Sequence, residues 1–161
     1  MTTERTETLV RLTLLDAVLL TVACLVPAVS HALALPLYML NPMLAILLAG
    51  MLVGRDWRNS LVLAVLLPAV SCLVVGMPAA DKMVCMMAEL ATVAGLFVWL
   101  KGRMGAVFAV FAAIVAGKLV YYGLKAVVMA PAVLVGTDWK VQLVAVLLWG
   151  GLFAMLYKRV K

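Results

Sequence analysis

A stripe of polar residues crosses one helix of a chain that is otherwise almost wholly apolar. Asp81, Cys85 and Glu89 are four residues apart, and this spacing places them on one face of an α-helix. A thiol beside a carboxylate is also the pairing of a nucleophile with its base, but no third catalytic group is visible in the sequence. The stripe therefore indicates a binding surface first and an intramembrane enzyme only as an alternative.

A second stripe carries ammonium and phenol groups. Lys118, Tyr121 or Tyr122, and Lys125 follow the spacing of one helical face. Glu89 and Lys118 lie at a similar depth, about 13 Å from the ends of their helices at 1.5 Å per residue. They could pair for purely structural reasons, since each lowers the cost of burying the other, or they could line a cavity for a partly polar small molecule.

The connections at the same end of the predicted helices add further polar groups. These are His31, Tyr38, Asn41, Asp138, Trp139, Lys140 and Gln142. His31 and Cys85 make an incomplete site for a free metal ion, but imidazole and thiolate are suitable axial ligands for cobalt already held in cobalamin. Polar residues gathered in one half of the membrane predict a cavity open to the outside, and this asymmetry is the strongest functional signal in the chain.

These residues must be positioned by membrane-spanning helices. The chain has 161 residues, of which 68% are hydrophobic, and a mean hydropathy of +1.21. A spanning helix needs roughly 20 apolar residues, so six spans and their turns occupy the whole length. We expect an all-α, polytopic membrane protein made of a single transmembrane domain, residues 1–161, and no leader to be removed. The expected helices are 9–33, 42–54, 60–75, 80–100, 104–129 and 140–157.

Local signals set the helix ends. Asn41 and Pro42 are typical of an N-cap followed by a first-turn proline. The segments 55–59 and 101–103 are expected to be tight inner turns. Asp16 is expected to contact Arg11 or the lipid interface.

The distribution of positive charge predicts how the chain is oriented in the membrane. The net charge is +6, but the basic residues alternate between the two sides of the predicted bundle. Nine lie on one side, with both termini, and only Lys82 and Lys140 lie on the other. By the positive-inside rule both termini are cytoplasmic. The charge therefore follows topology and does not indicate a nucleic-acid partner. The chain also lacks a phosphate-binding loop, so it cannot hydrolyse ATP by that route.

Three segments resemble one family of membrane transporters. Residues 47–55 read LLAGMLVGR, residues 67–78 read LPAVSCLVVGMP, and residues 86–90 read MMAEL. Their order and spacing resemble helices 2 to 4 of the substrate-binding S components of energy-coupling factor (ECF) vitamin transporters. The motifs cover roughly residues 42–95, and the six-helix count extends the likeness over the chain.

The resemblance implies a protein of the bacterial inner membrane that binds a vitamin from outside. It implies contacts near the outer ends of helices 4 to 6, in the regions of Met77, Lys82, Cys85, Glu89, Tyr121, Lys125 and Trp139. It also implies docking to a transmembrane coupling protein that two cytoplasmic ATPases drive. In the family a small-residue motif on helix 1 serves this docking, and Ala17 and Thr21 take its place here, as an imperfect match.

The substrate expectation is a vitamin, with cobalamin as the best single choice and no resident cofactor. Thiamine, biotin, riboflavin and folate stay open. The alternative function is that of a structural membrane protein of the cell-shape or assembly type, which has no need of a polar cavity.

Overall fold

Six α-helices make up nearly all of the described chain. The computed structural model describes residues 2–32, 40–54, 56–129 and 139–160, and no strand occurs within these ranges. The helices are α1 (Thr2–Ala32), α2 (Pro42–Gly54), α3 (Trp57–Val75), α4 (Ala80–Met104), α5 (Ala106–Met129) and α6 (Trp139–Val160). All but α2, which has 13 residues, are long and apolar enough to cross a membrane. The predicted all-α membrane fold is confirmed.

The predicted turn at residues 101–103 is wrong. These residues form the last turn of α4, and the chain reverses at Gly105, which has a positive φ of 79°. Two contacts over one helical turn stabilise this end: the Lys101 ammonium lies 5.9 Å from the Phe97 ring centroid, and the Arg103 guanidinium lies 4.0 Å from the Trp99 ring. Such cation–ring pairs favour helix here, so two basic residues and a glycine do not end it.

The predicted turn at residues 55–59 is also too long. α3 begins at Trp57 because Asp56 caps it, its side-chain carboxylate accepting a hydrogen bond from the Arg58 backbone N–H at 2.9 Å. At the N-terminus, α1 begins seven residues before the predicted Leu9, and His31 and Ala32 belong to its last turn. α6 is longer than expected by one residue at its start and three at its end.

The core lies where α4 packs against α3 and α5, with α2 against α3 and α6. Its fully buried side chains are aliphatic and aromatic, among them Leu44, Leu47, Leu63, Leu67, Leu90, Val93, Ile114 and Phe153. Large apolar side chains also cover the outside of the bundle, most completely along α1, which among the described helices packs against α2 and α3. An apolar exterior of this kind is what a lipid environment requires.

The bundle has two different ends. We call the loop end the one at which α2, α4 and α6 begin, and the turn end the one at which α1, α3 and α5 begin and α6 ends. At the turn end, Arg58 lies 5.4 Å from the Trp57 ring, and Arg103 stacks on Trp99. Trp139 begins α6 at the loop end. Tryptophans at both ends, with arginines at one, are typical of the two membrane interfaces.

Candidate functional site

Glu89 is the centre of a buried polar cluster that joins three elements. Its side chain is 1% exposed. One carboxylate oxygen, Oε1, lies 2.9 Å from the Lys118 ammonium on α5 and accepts a hydrogen bond of 2.9 Å from the Asn41 amide at the start of α2. The charge of Glu89 is thus compensated inside the bundle, as a buried carboxylate requires. We call Asn41, Glu89 and Lys118 the buried triad.

Asn41 is held in place by the helix that it caps. Its side-chain oxygen accepts a hydrogen bond from the Leu44 backbone N–H at 3.3 Å, and its backbone carbonyl accepts a second from the same N–H at 3.1 Å. The residue has a φ of 51°, a left-handed conformation that asparagine tolerates better than most residues. The predicted N-cap is confirmed. Because the oxygen faces Leu44, the amide NH₂ is left to donate to Glu89.

Gly117 explains how Lys118 comes so close to Glu89. A Cβ at Gly117 would lie 2.6 Å from Val93 Cγ2 and 3.0 Å from the Glu89 backbone oxygen. The absence of a side chain therefore lets α4 and α5 approach closely at the level of the ion pair. Our sequence reasoning missed this residue, although a glycine directly before a lysine in a span was the available signal.

A row of aromatic rings extends from the buried triad towards the loop end. The rings of Tyr121 and Tyr122 are 5.1 Å apart, and Tyr122 lies 4.7 Å from the ring of Trp139 on α6. The ammonium groups of Lys118 and Lys125 lie 5.7 and 5.8 Å from the Tyr121 centroid, and Lys125 lies 5.9 Å from Tyr122. We call Tyr121, Tyr122, Lys125 and Trp139 the aromatic–lysine row.

The α4 stripe divides by depth. Cys85 is 0% exposed, and Glu89 is almost as deeply buried, whereas Asp81 and Lys82 in the first turn of the helix are exposed. Asp81 accepts a hydrogen bond of 2.9 Å from the Lys82 backbone N–H. Only the loop-end part of the stripe faces the surroundings.

Some predicted residues fall outside what the structure describes. Tyr38 lies in the range 33–39, and the side chain of His31 is likewise outside the described part of the chain. Within the described part, no three His, Cys, Asp or Glu residues come together as a metal site would require. Ala17 and Thr21 are both exposed on α1, where the Thr21 hydroxyl donates to the Ala17 carbonyl at 2.8 Å.

Two further polar contacts hold α1 and α6 in the bundle. Asp16 accepts a hydrogen bond of 2.9 Å from the Asn59 side-chain amide, so its described partner is on α3, whereas we expected Arg11 or the lipid interface. The Trp149 indole N–H donates to the Leu40 backbone carbonyl, next to Asn41. Sequence reasoning missed Asn59 and Trp149, because each bonds to a residue far away in the chain.

Comparisons of this chain with protein-family models, with curated proteins and with solved structures return no match. The function therefore has to be inferred from the site.

Proposed function

We propose that this chain binds a vitamin or related micronutrient and takes part in its uptake across the bacterial cytoplasmic membrane, in the manner of an ECF S component. The observation that carries the proposal is the joining of the buried triad to the aromatic–lysine row. Residues from α2, α4, α5 and α6 bring charges, amide and phenol groups together towards the loop end. The positive-inside rule makes this end the outer one.

The energetic cost of this arrangement supports a binding role over a purely structural one. Ionisable groups within a membrane are expensive and are retained mainly where they serve a function. Helix association in lipid can be achieved with small residues alone, as at Gly50 and Gly150, where close neighbours fill the space a Cβ would need. A structural protein of the cell-shape type does not need two lysine ammonium groups, those of Lys118 and Lys125, next to the rings of the aromatic–lysine row.

The contacts of Glu89 argue against the enzyme alternative. Its Oε1 already accepts from both Lys118 and Asn41, so this oxygen is occupied by partners within the bundle. The Cys85 thiol is fully buried, whereas reactive thiols are at least partly exposed. These two residues are better suited to holding helices and lining a site than to covalent chemistry.

In this proposal the energy for uptake comes from partners. Ala17 and Thr21 lie exposed on α1, where a transmembrane coupling protein can reach them, and cytoplasmic ATPases would act through that protein. Cobalamin stays our best single substrate expectation. Because the Cys85 thiol is 0% exposed, a bond to cobalt requires the loop end to open around α4 first.

The test is to identify what the protein binds. The protein is purified in detergent after growth with a vitamin mixture, and co-purifying small molecules are identified by mass and absorbance. We expect one vitamin, bound with an affinity that Trp139→Leu lowers at least tenfold. Trp99→Leu is the matched control, since Trp99 and Trp139 are both 55% exposed but lie at opposite ends of the bundle.

Two results would contradict the proposal. If no vitamin co-purifies and titrations of the common vitamins show no binding, the structural-protein alternative takes its place. If Trp99→Leu lowers affinity as much as Trp139→Leu, the binding site is not at the loop end.

A further inference from the structure

Lys125 is a partly buried cation without a carboxylate partner in the described chain. It lies one turn before the end of α5, among the rings of Tyr121 and Tyr122. The ion pair found within the described residues joins Lys118 to Glu89 and does not include Lys125. Aromatic faces attract a cation but do not neutralise it. An anionic group brought next to Lys125 would be attracted to it directly.

The surrounding charges leave an excess of positive charge. Lys118 is paired with Glu89 inside the bundle. Asp81 and Lys82 are neighbouring exposed residues of opposite charge in the first turn of α4. Among these described residues, Lys125 is therefore the cation without a compensating carboxylate, and an anionic group of a ligand would form a charge-assisted contact with it.

The aromatic–lysine row also provides an exposed ring face, that of Trp139. Tyr122 and Trp139 have centroids 4.7 Å apart and an interplanar angle of 52°, and Trp139 is more than half exposed. Tryptophan and tyrosine faces bind other aromatic or conjugated rings by offset stacking. The aromatic–lysine row therefore combines an exposed ring face with the Lys125 cation.

We propose that Lys125 binds the anionic group, carboxylate or phosphate, of a ligand whose planar ring stacks on Trp139 beside Tyr122. This inference rests on the proposed function, which it deepens by naming the substrate class: a ring compound with a negative charge. A lipid phosphate carries the same anionic chemistry, so the experiment has to separate a soluble ligand from a headgroup.

The test uses pairs of vitamins that share a ring and differ in charge. Nicotinate is compared with nicotinamide, and riboflavin 5′-phosphate with riboflavin, by equilibrium dialysis against the full chain in dodecyl maltoside. We expect the anionic member of at least one pair to bind at least tenfold more tightly. Lys125→Met should abolish this difference, and Lys125→Arg should keep most of it.

Lys101→Met is the matched control. Its ammonium also lies over a ring, 5.9 Å from the Phe97 centroid, but at the turn end. We expect this variant to keep the wild-type preference for the anion. Each variant is first checked for a single symmetrical peak on size exclusion, so that a loss of binding is not a loss of folding.

The outcomes separate this inference from the function on which it rests. If the anionic vitamins that bind do so with the same affinity to the wild type and to Lys125→Met, the anion site is wrong while the vitamin-binding function stands. If Lys125→Met loses phosphatidylglycerol, measured by native mass spectrometry, and keeps its vitamin affinity, the anion is a headgroup and the soluble-ligand inference is overturned. If no vitamin binds, both proposals fall.

Discussion

At the scale of single residues, the Glu89–Lys118 pair is expected to govern stability. Glu89→Ala leaves the buried Lys118 ammonium without its carboxylate, and removing one partner of a buried pair costs about 3–5 kcal/mol. For a chain of this size we expect the midpoint of thermal unfolding in detergent to fall on the order of 10 °C. The measurement is a thermal ramp followed by size exclusion.

The double variant Glu89→Ala/Lys118→Met separates the contribution of the ion pair to stability from the contribution of the packing around it. Because it contains no uncompensated charge, it should be more stable than Glu89→Ala alone. Asp81→Ala, which removes an exposed carboxylate on the same helix, should leave the midpoint nearly unchanged. Equal midpoints for Glu89→Ala and the double variant would show that the ion pair does not stabilise the bundle.

Asn41 gives a second prediction, because it combines a side-chain role with an unusual backbone. Asn41→Ala loses both side-chain hydrogen bonds and places a Cβ residue at a φ of 51°, whereas Asn41→Gly loses the bonds but tolerates that φ. The left-handed conformation costs a non-glycine residue about 1–2 kcal/mol. Thermal midpoints should therefore fall in the order wild type, glycine, alanine; alanine at least as stable as glycine contradicts the assigned backbone.

The sequence was enough to predict the positions of these residues, but it was not enough to predict all of the hydrogen bonds between them. Helical spacing and depth were enough to bring Glu89 and Lys118 to one level, and the Asn-Pro pair was enough to predict the cap of α2. The Asn41–Glu89 hydrogen bond could not be predicted, since its partners are 48 residues apart and only helix packing brings them together. The same holds for the bond between Asp16 and Asn59.

At the scale of helices, the contact of α4 with α5 depends on Gly117. Gly117→Ala places a Cβ against Val93 and the Glu89 backbone, and crowding in a packed core costs about 1–3 kcal/mol. Gly123→Ala on the same helix is the control, because nothing lies within 4 Å of its Cβ position. We expect the first variant to melt at a lower temperature than the wild type, and the second to melt at the same or a slightly higher one. Identical midpoints for the two alanine variants would rule out the close approach.

Helix ends were the least predictable elements. Gly102 between two basic residues is a typical turn signal, yet α4 continues to Met104. The contacts of Lys101 and Arg103 with rings four residues earlier favour continuation of the helix. A prediction of helix ends from glycine and proline alone does not include these contacts. Membrane-helix boundaries therefore depend on side-chain pairs at the interface as well as on glycine and proline.

At the scale of the whole molecule, the proposals require the loop end to face outwards. The start of α1, the end of α6 and most of the described cations lie at the turn end, so the positive-inside rule predicts that this end faces the cytoplasm. The prediction is tested by labelling single cysteines in a variant whose Cys24, Cys72 and Cys85 are replaced by alanine. A membrane-impermeant maleimide should label Lys140→Cys in intact spheroplasts, and it should label Gly102→Cys and Lys158→Cys only after lysis.

All three positions are exposed, so a failure to label in intact cells reports the side of the membrane and not burial. The two turn-end positions belong to different helices, and an even number of crossings requires them to behave alike. If they behave differently, one of the two helices that separate them, α5 or α6, does not complete a crossing. The reverse labelling pattern would place the aromatic–lysine row in the cytoplasm, where it could not receive a vitamin from outside, and the uptake proposal would fail with it.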